Sequence, residues 1–435
     1  MALSNKKRAL TAILANISRL LLSAVLMVSG FVKAVDPMGL FYKVEEYLAA
    51  FGITELHDGW ITAVSVTLPA LEFIFGVMLL MGVYNRVVTT FVFLFFLMFT
   101  PFTLIIALWN PVSDCGCFGD AFVLSNWATF AKNIVLLILA TMVCFMRRLF
   151  VRKVSLGNRW MVALFALLYI SAIEYIGLAH LPIMDFRPFA VGTDLRKAVV
   201  DVPSLFKTVY RFEKDGEVKE YDDETYPDTT WNYLGSRTDI LVEGKPALIA
   251  DFAFLDMEEG DDYAETILED SGYVYMLILE KIETADESRV DKINELYDYC
   301  HERAIPFYAA TASDTPEVDL WKKRTGADYP ILWADDVMLK TMIRSNPGVL
   351  LVKDGVVVAK WNVKDLPSVD DMRRGATLMP EKSNVMYQYL RSWKLWLLFF
   401  VAPILFIAFI DVLIVISRKL AARLWVQKDD DEEKK

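Results

Sequence analysis

Three histidines and four cysteines in 435 residues leave little from which to build a metal centre. No Walker A loop, dinucleotide glycine fingerprint, zincin helix or nucleophile elbow occurs in the sequence. Their absence removes the phosphate-cradling, nicotinamide, metalloprotease and α/β-hydrolase readings. A repeat on the scale of about 20–50 residues is also missing, which excludes a solenoid or a propeller. The most informative lack is of charge, because six separate blocks carry almost none.

Those blocks cover roughly residues 12–34, 60–82, 87–109, 127–146, 160–181 and 393–417. A stretch of about 20 nearly uncharged residues spans a hydrocarbon core as a helix. At 55% hydrophobic and a mean hydropathy of +0.35, the chain is too apolar for a soluble protein of this length. The first block is too long, and too poorly furnished with a cleavage site, for a removable signal peptide. A polytopic membrane protein is expected, with lipid as its surroundings.

Basic residues set the expected orientation. Lys6, Lys7 and Arg8 precede the first span, and Arg86 lies between the second and third. Arg147, Arg148, Arg152, Lys153 and Arg159 fill the next such turn, and Arg418, Lys419 and Arg423 follow the sixth span. With alternating helices all four clusters fall on one side. Both termini are then cytosolic, and the loop 36–59, the loop around residue 115 and the segment 182–392 lie outside. Residues 185–392 carry 25 basic and 41 acidic residues, while the remainder carries 20 and 15. An acidic exported part on a mildly basic membrane part argues against nucleic acid as a partner. The run Asp429 to Lys435 reads as a disordered, solvated tail.

Asp114-Cys115-Gly116-Cys117-Phe118-Gly119-Asp120 stands between two apolar blocks on the outer side of that arrangement, where disulfides form. Cysteines at i and i+2 can bring their Cα atoms within the disulfide range of about 5–7 Å, in a small and strained ring. Strain makes a bond more reducible, which fits a donor of oxidising equivalents better than a staple. Gly116 relaxes the backbone, and Asp114, Asp120 and Asn110 keep the loop near water. A static disulfide or two unpaired thiols remain alternatives. A metal has less support, since only His57 and His180 could join two soft ligands from that face, and no metal site is expected.

Glu72 falls near the middle of the second span, where an ionised carboxylate costs several kcal/mol unless paired or protonated. Lys132 and Lys33 are its candidate partners, and with Asn133 they could form a polar cluster below the cysteines. Such a cluster could handle protons or contact a quinone, or it could be a buried salt bridge that orients helices. The cofactor is open, with a quinone as the candidate. DsbB-type and vitamin K epoxide reductase-type enzymes combine cysteines and quinone in helical bundles, an analogy of logic only. Glu174 and Asp411 are expected to reach an interface. Cys144, at the cytosolic end of its span, is expected to be a small apolar residue.

Gly30-Phe31-Val32-Lys33 with Asp36-Pro37, Glu72 followed by Gly76, and the run from Cys115 through Trp127, Lys132 and Asn133 resemble the DoxX/MauE group of redox-associated membrane proteins. The phrase Leu181 to Pro188 fits in particular the larger DoxX-type proteins of Bacteroidetes. The resemblance covers residues 10–190 and implies a four-helix bundle more firmly than an activity.

In the exported part, residues 208–221 alternate around Asp215-Gly216, a hairpin signal. A second strand pair is expected to flank Glu243-Gly244-Lys245-Pro246. Then follow strand 273–280, helix 286–303, strand 305–310, helix 315–325, strand 330–333, helix 336–345 and a hairpin 348–361 turning at Asp354-Gly355. That order predicts a mixed sheet flanked by helices. It resembles a thioredoxin-like domain of the TlpA/peroxiredoxin kind, with Asn346-Pro347-Gly348 like its cis-proline strand. The place of the redox motif reads Leu279 to Asp286 without a cysteine. Cys300 lies on the stripe Ile293, Leu296, Tyr297, Cys300, which is helical core spacing. The resemblance therefore implies client binding near Pro347 rather than independent oxidoreductase activity.

The expected organisation is an α-helical bundle at 1–181, a β-rich lead-in at 182–250, an α/β thioredoxin-like domain at 251–378, a last transmembrane helix at 393–417 and a cytosolic tail at 418–435. The expected function is thiol–disulfide handling in envelope protein maturation at a bacterial inner membrane. Cys115 and Cys117 are the redox pair; Glu72, Lys132, Asn133, Lys33, Asp114 and Asp120 support it. An envelope client or complex partner is expected. The rival from another class is a non-catalytic membrane scaffold.

Overall fold

The computed structural model describes residues 5–370 and 392–432, except 54, 55, 113, 151, 152, 215, 223, 224, 226 and 243. Arg152, Asp215, Glu243 and the expected domain end at 371–378 lie outside the described residues, as do the side chains of Lys6, Arg8, Arg418, Lys419 and Arg423. The chain divides into two compact units, residues 1–187 with 370–435, and residues 188–369.

The first unit is helical: α1 (Asn5–Val35), α2 (Pro37–Ala50), α3 (Asp58–Met81), α4 (Asn85–Trp109), α5 (Asn126–Phe145), α6 (Arg159–Ala179) and, numbered last in the chain, α12 (Trp393–Glu432). Six of these are long and apolar enough to cross a membrane, at Ala9–Val35, Asp58–Met81, Asn85–Trp109, Asn126–Phe145, Arg159–Ala179 and Trp393–Ser417. Their outer surface carries exposed Leu94, Leu97, Met98, Ile138, Leu405 and Phe406. Such a surface suits hydrocarbon, and backbone groups satisfied within helices suit it equally. This is a membrane protein.

Two observations correct the sequence expectations at the helix ends. The stretch 36–59 contains α2, which starts where the Asp36 carboxylate accepts from the Gly39 amide (2.9 Å) and Pro37 takes the first helical position. At the other end, α12 continues through Glu432, so most of the expected disordered tail is helical. Helix propagates there through Ala421, Ala422, Arg423 and Leu424, all strong helix formers.

α1 and α3 cross at two glycines. A Cβ on Gly30 would stand 2.6 Å from the Phe73 amide nitrogen, and one on Gly76 would stand 2.9 Å from that of Met27. Close backbone approach of this kind lets the two helices share buried polar groups. At the end holding the basic residues, Arg159 lies over the Tyr84 ring and Arg147 donates to Thr90. There Asp411 of α12 accepts from the Ser155 amide (2.9 Å), the Ser155 hydroxyl (2.5 Å) and Asn158 (2.8 Å). Asp411 therefore anchors α12 to the α5–α6 connection. Glu174 is buried at 3% exposure and does not reach an interface, because α6 turns it inward among Val162, Tyr169, Ile170 and Ile173 of the same buried face.

The second unit holds two sheets. β1 (Leu205–Lys214), β2 (Glu217–Tyr221) and β3 (Asn232–Val242) form an antiparallel sheet in the order β2-β1-β3. No strand pair flanks residues 243–246 among the described residues; β3 pairs back with β1, and Lys245 makes only an isolated bridge to Val202. Phe212 of β1 rewards that closure with ring contacts to Tyr221 of β2 and Tyr233 of β3.

The larger sheet has six strands, β4 (Leu255–Asp256), β5 (Tyr273–Leu279), β6 (Phe307–Thr311), β7 (Ile331–Trp333), β8 (Gly348–Lys353) and β9 (Val356–Asn362), in the order β4-β7-β6-β5-β8-β9. β5, β6 and β7 are parallel, while β8 and β9 run antiparallel. Central β5 is buried from Val274 to Leu279, the continuous apolar run of a strand covered on both faces. Helices α7 (Leu195–Ala198), α8 (Ala264–Glu269), α9 (Val290–Glu302), α10 (Thr315–Thr325) and α11 (Asp336–Met342) complete the unit. The expected mixed sheet and its closing hairpin are present. Asp354 and Gly355, both at positive φ (47° and 69°), make the turn.

Candidate functional site

Cys115 and Cys117 lie in the loop between α4 and α5, and their sulfurs are 2.8 Å apart. Both are free thiols, half-buried. The loop is held at both ends. Asn126, buried at the start of α5, donates to the Asn110 side chain (2.7 Å) and to the Val112 carbonyl (2.9 Å). Asp114 turns the backbone by accepting from the Gly116 amide (2.8 Å). Gly116 has φ +63° and sits against the Lys43 stem, where a Cβ would meet Lys43 Cγ at 2.9 Å. Only glycine meets both requirements there.

α2 grips the loop from one side. Lys43 bridges Glu46 (2.9 Å) and Asp114 (3.0 Å), and the Tyr47 hydroxyl donates to the Cys115 carbonyl (3.1 Å). Burial works to lower the Lys43 pKa, yet Glu46 and Asp114 together hold it above its ordinary value. α1 grips from below. Ser29 Oγ lies 2.8 Å from both the Cys117 carbonyl oxygen and Glu72 Oε2, so its single proton can be given to either. Lys33 Nζ contacts Glu72 Oε1 at 2.5 Å, with both side chains buried.

The expected polar cluster is therefore only partly as anticipated. Glu72 pairs with Lys33, not Lys132, because the glycine crossing sets α1 directly against α3. Lys132 instead holds its ammonium 4.4 Å from the centre of the Phe118 ring. Asn133 donates to Thr103 (3.1 Å), tying α5 to α4. Asp120 is exposed in a short turn at Gly119–Ala121, and His57 caps α3 through the Gly59 amide (3.0 Å).

The electrostatics separate the two thiols. The hydrogen bond from Cys115 lowers the Cys117 pKa to about 7, with help from the Lys132 and Lys33 charges and against burial and Glu72. The same hydrogen bond, then burial, pushes Cys115 well up. The pair thus holds its thiolate on Cys117 and its proton on Cys115.

Beneath the loop is a cavity of about 320 Å³. Its polar lining residues include Ser29, Lys33, Tyr47, Glu72, Cys115, Cys117, Lys132 and Asn133, and its apolar ones Leu26, Val44, Leu68, Phe95, Phe96, Phe99, Phe102 and Leu136. Ser29, Lys43 and Tyr47 are not among the residues that the sequence singles out. The Lys43–Glu46 spacing on a capped helix was the one available signal for α2.

In the second unit the Asn346–Pro347 bond is cis. Asn346 donates to the Lys281 carbonyl (2.6 Å) and its own carbonyl accepts from the Asp286 amide (3.0 Å). The proline loop is thereby tied to the segment 279–286 that carries no cysteine. Cys300 is fully buried, and burial pushes its thiol up to about 12. It is an inert packing residue.

Residues 11–146, 136 of the 435, match the family model described as methylamine utilisation protein MauE. Residues 206–243, which cover all of the small sheet but its first residue, match a domain of unknown function, DUF8463. Comparison with curated proteins gives no match.

Proposed function

We propose that this membrane protein handles thiols and disulfides during envelope protein maturation, through Cys115 and Cys117 on the outer face of a bacterial inner membrane. The observation that carries the reading is the contact between the two sulfurs (2.8 Å) beside the Lys132 cation. The MauE match over the helices that build this site supports a redox-associated bundle. In the oxidised protein a client thiolate attacks Cys115 and the Cys115–Cys117 bond breaks. Cys117 departs as a thiolate, the better leaving group because its pKa is the lower. The second client thiol then displaces Cys115, leaving an oxidised client and a dithiol. Lys33, Glu72 and Asn133 hold the helices below, and Asp114 shapes the turn.

The second unit, on this reading, is a thioredoxin-like client-binding domain without redox chemistry of its own. The parallel β5–β6–β7 core, the antiparallel β8–β9 hairpin and the cis Pro347 support it. Extended peptide beside Pro347 would be the bound form. The basic residues gathered at the opposite end of the bundle from the cysteines support cytosolic termini.

The test is the redox state of the pair in intact cells, read by acid quench, differential alkylation and mass spectrometry of the loop peptide. A mixture that shifts with the oxidant supply is expected. A client peptide with a single thiol, added to the oxidised protein, should be held on Cys115 as a mixed disulfide that reductant releases, with Cys117 freed as a thiol. A pair locked in one state, together with full function in Cys115→Ser/Cys117→Ser, would instead make the protein a non-catalytic scaffold.

A further inference from the structure

A dithiol left by client oxidation must lose its electrons, and the cavity beneath the loop has the chemistry to receive them. We infer that this cavity binds the ring of a membrane-soluble quinone, which reoxidises Cys115 and Cys117; the inference rests on the redox reading above. Three observations meet here. The volume, about 320 Å³, lies at the lower end of the range for small-molecule sites. The lining is mainly apolar and aromatic, and among its polar groups Tyr47 and Ser29 hydrogen-bond to the cysteine loop, with Glu72 joined to it through Ser29. Such a container rejects hydrophilic metabolites and accepts a ring with an apolar tail.

The third observation concerns Lys132. It lines the cavity, and among the described residues it makes no ion pair, its ammonium resting on the Phe118 ring instead. An acyl chain would fill the walls and leave that cation unused. A carbonyl oxygen that gains negative charge on reduction answers it directly. Ser29 and Asn133 line the same cavity.

The step balances. The Cys115 S–H bond breaks and one S–S bond forms; two electrons and the Cys115 proton pass to the ring, and solvent returns the proton that Cys117 released on forming its thiolate. Its two C=O groups become C–OH, so dithiol and quinone give disulfide and quinol. The Cys117 thiolate supplies electrons to the ring, and Lys132 holds the charge developing on the ring oxygen until a proton arrives.

The experiment uses the full chain, purified, reduced and placed in lipid nanodiscs. The probes are a naphthoquinone with a short tail, its azido photolabel, and a disulfide-bonded peptide, which the reduced pair can reduce, as an independent exchange substrate. The wild-type protein should form quinol, and the label should map to the cysteine loop or to the Phe95–Phe102 stretch. Val44→Trp, which fills the cavity from α2, should slow quinol formation at least tenfold and change peptide exchange less than twofold. Lys132→Met should slow quinol formation at least tenfold, whereas Leu94→Trp on the exposed face should change neither reaction. Labelling in Cys115→Ser/Cys117→Ser without quinol formation would separate binding from chemistry and support the site. Peptide exchange with no quinone labelling or reduction overturns the quinone site and leaves the exchange reading standing. Labelling of the cavity in a protein whose pair neither exchanges nor oxidises overturns the exchange reading, and the electron transfer with it.

Discussion

At the scale of single residues, the cysteine loop turns two chemically identical thiols into unequal ones. The Cys117 thiolate is present above about pH 7 and is lost as pH falls through that value, because its folded pKa is depressed. Alkylation of reduced protein, followed on the loop peptide, should therefore show Cys117 reacting with a midpoint near pH 7. Cys115 should stay unmodified until the solution is much more alkaline. Lys132→Met removes a neighbouring positive charge and should move the Cys117 midpoint upward. The buried Lys33–Glu72 pair gives a second residue-scale outcome. Removing one partner strands the other charge, so Lys33→Met or Glu72→Leu alone should cost about 3–5 kcal/mol. The double variant should recover most of that loss, as measured by thermal unfolding in detergent.

At the scale of elements, the α1–α3 crossing decides which groups meet. Backbone atoms, not flexible side-chain ends, face the absent Cβ of Gly30, so the helices must separate to admit one. Gly30→Leu should cost at least about 1–3 kcal/mol, whereas Leu94→Ala on the exposed face of α4 should stay within about 0.5 kcal/mol of wild type. Thermal unfolding of the two variants side by side checks this. The six spans were legible in the sequence because the absence of charge over some 20 residues is a property of composition and length alone. The partner of Glu72 was not, since Lys33 and Lys132 were equally available until the glycines fixed the crossing. α2 escaped notice because its fourteen residues mix Lys43, Glu45 and Glu46 with an apolar face and resemble neither span nor loop. The cavity was invisible for a related reason. Phe95 and Phe99 are apolar whether they face lipid or an internal space, and no pattern in α4 distinguishes the two.

At the scale of the whole molecule, two units with opposite surface needs share one chain. Residues 188–369 present an acidic, water-compatible surface, whereas the helical unit exposes leucine and phenylalanine. In the second unit the strand and helix order was readable from Tyr273 onward, where apolar runs alternate with amphipathic stretches. The early strands were harder, because β3 pairs with β1 across 37 residues of sequence at their far ends, a register that local alternation does not encode. The proposed orientation makes a whole-molecule prediction. In intact cells, after mild reduction, a membrane-impermeant maleimide should label Cys115 or Cys117, and Cys144 only after permeabilisation. The reverse order of labelling would place the cysteine pair in the cytosol and rule out envelope clients.

The Lys33–Glu72 pair also bears on how the chain is made. Spans leave the insertion machinery in chain order, so α1 is in the bilayer before α3 arrives. Glu72 then enters hydrocarbon with a countercharge already waiting on its neighbour, and the glycine crossing gives the two helices a shape to dock by. Assembly of the nascent bundle is thereby directed from its first pair, since an acidic span inserted without that partner faces a penalty of about 2.5–3.5 kcal/mol at the membrane centre.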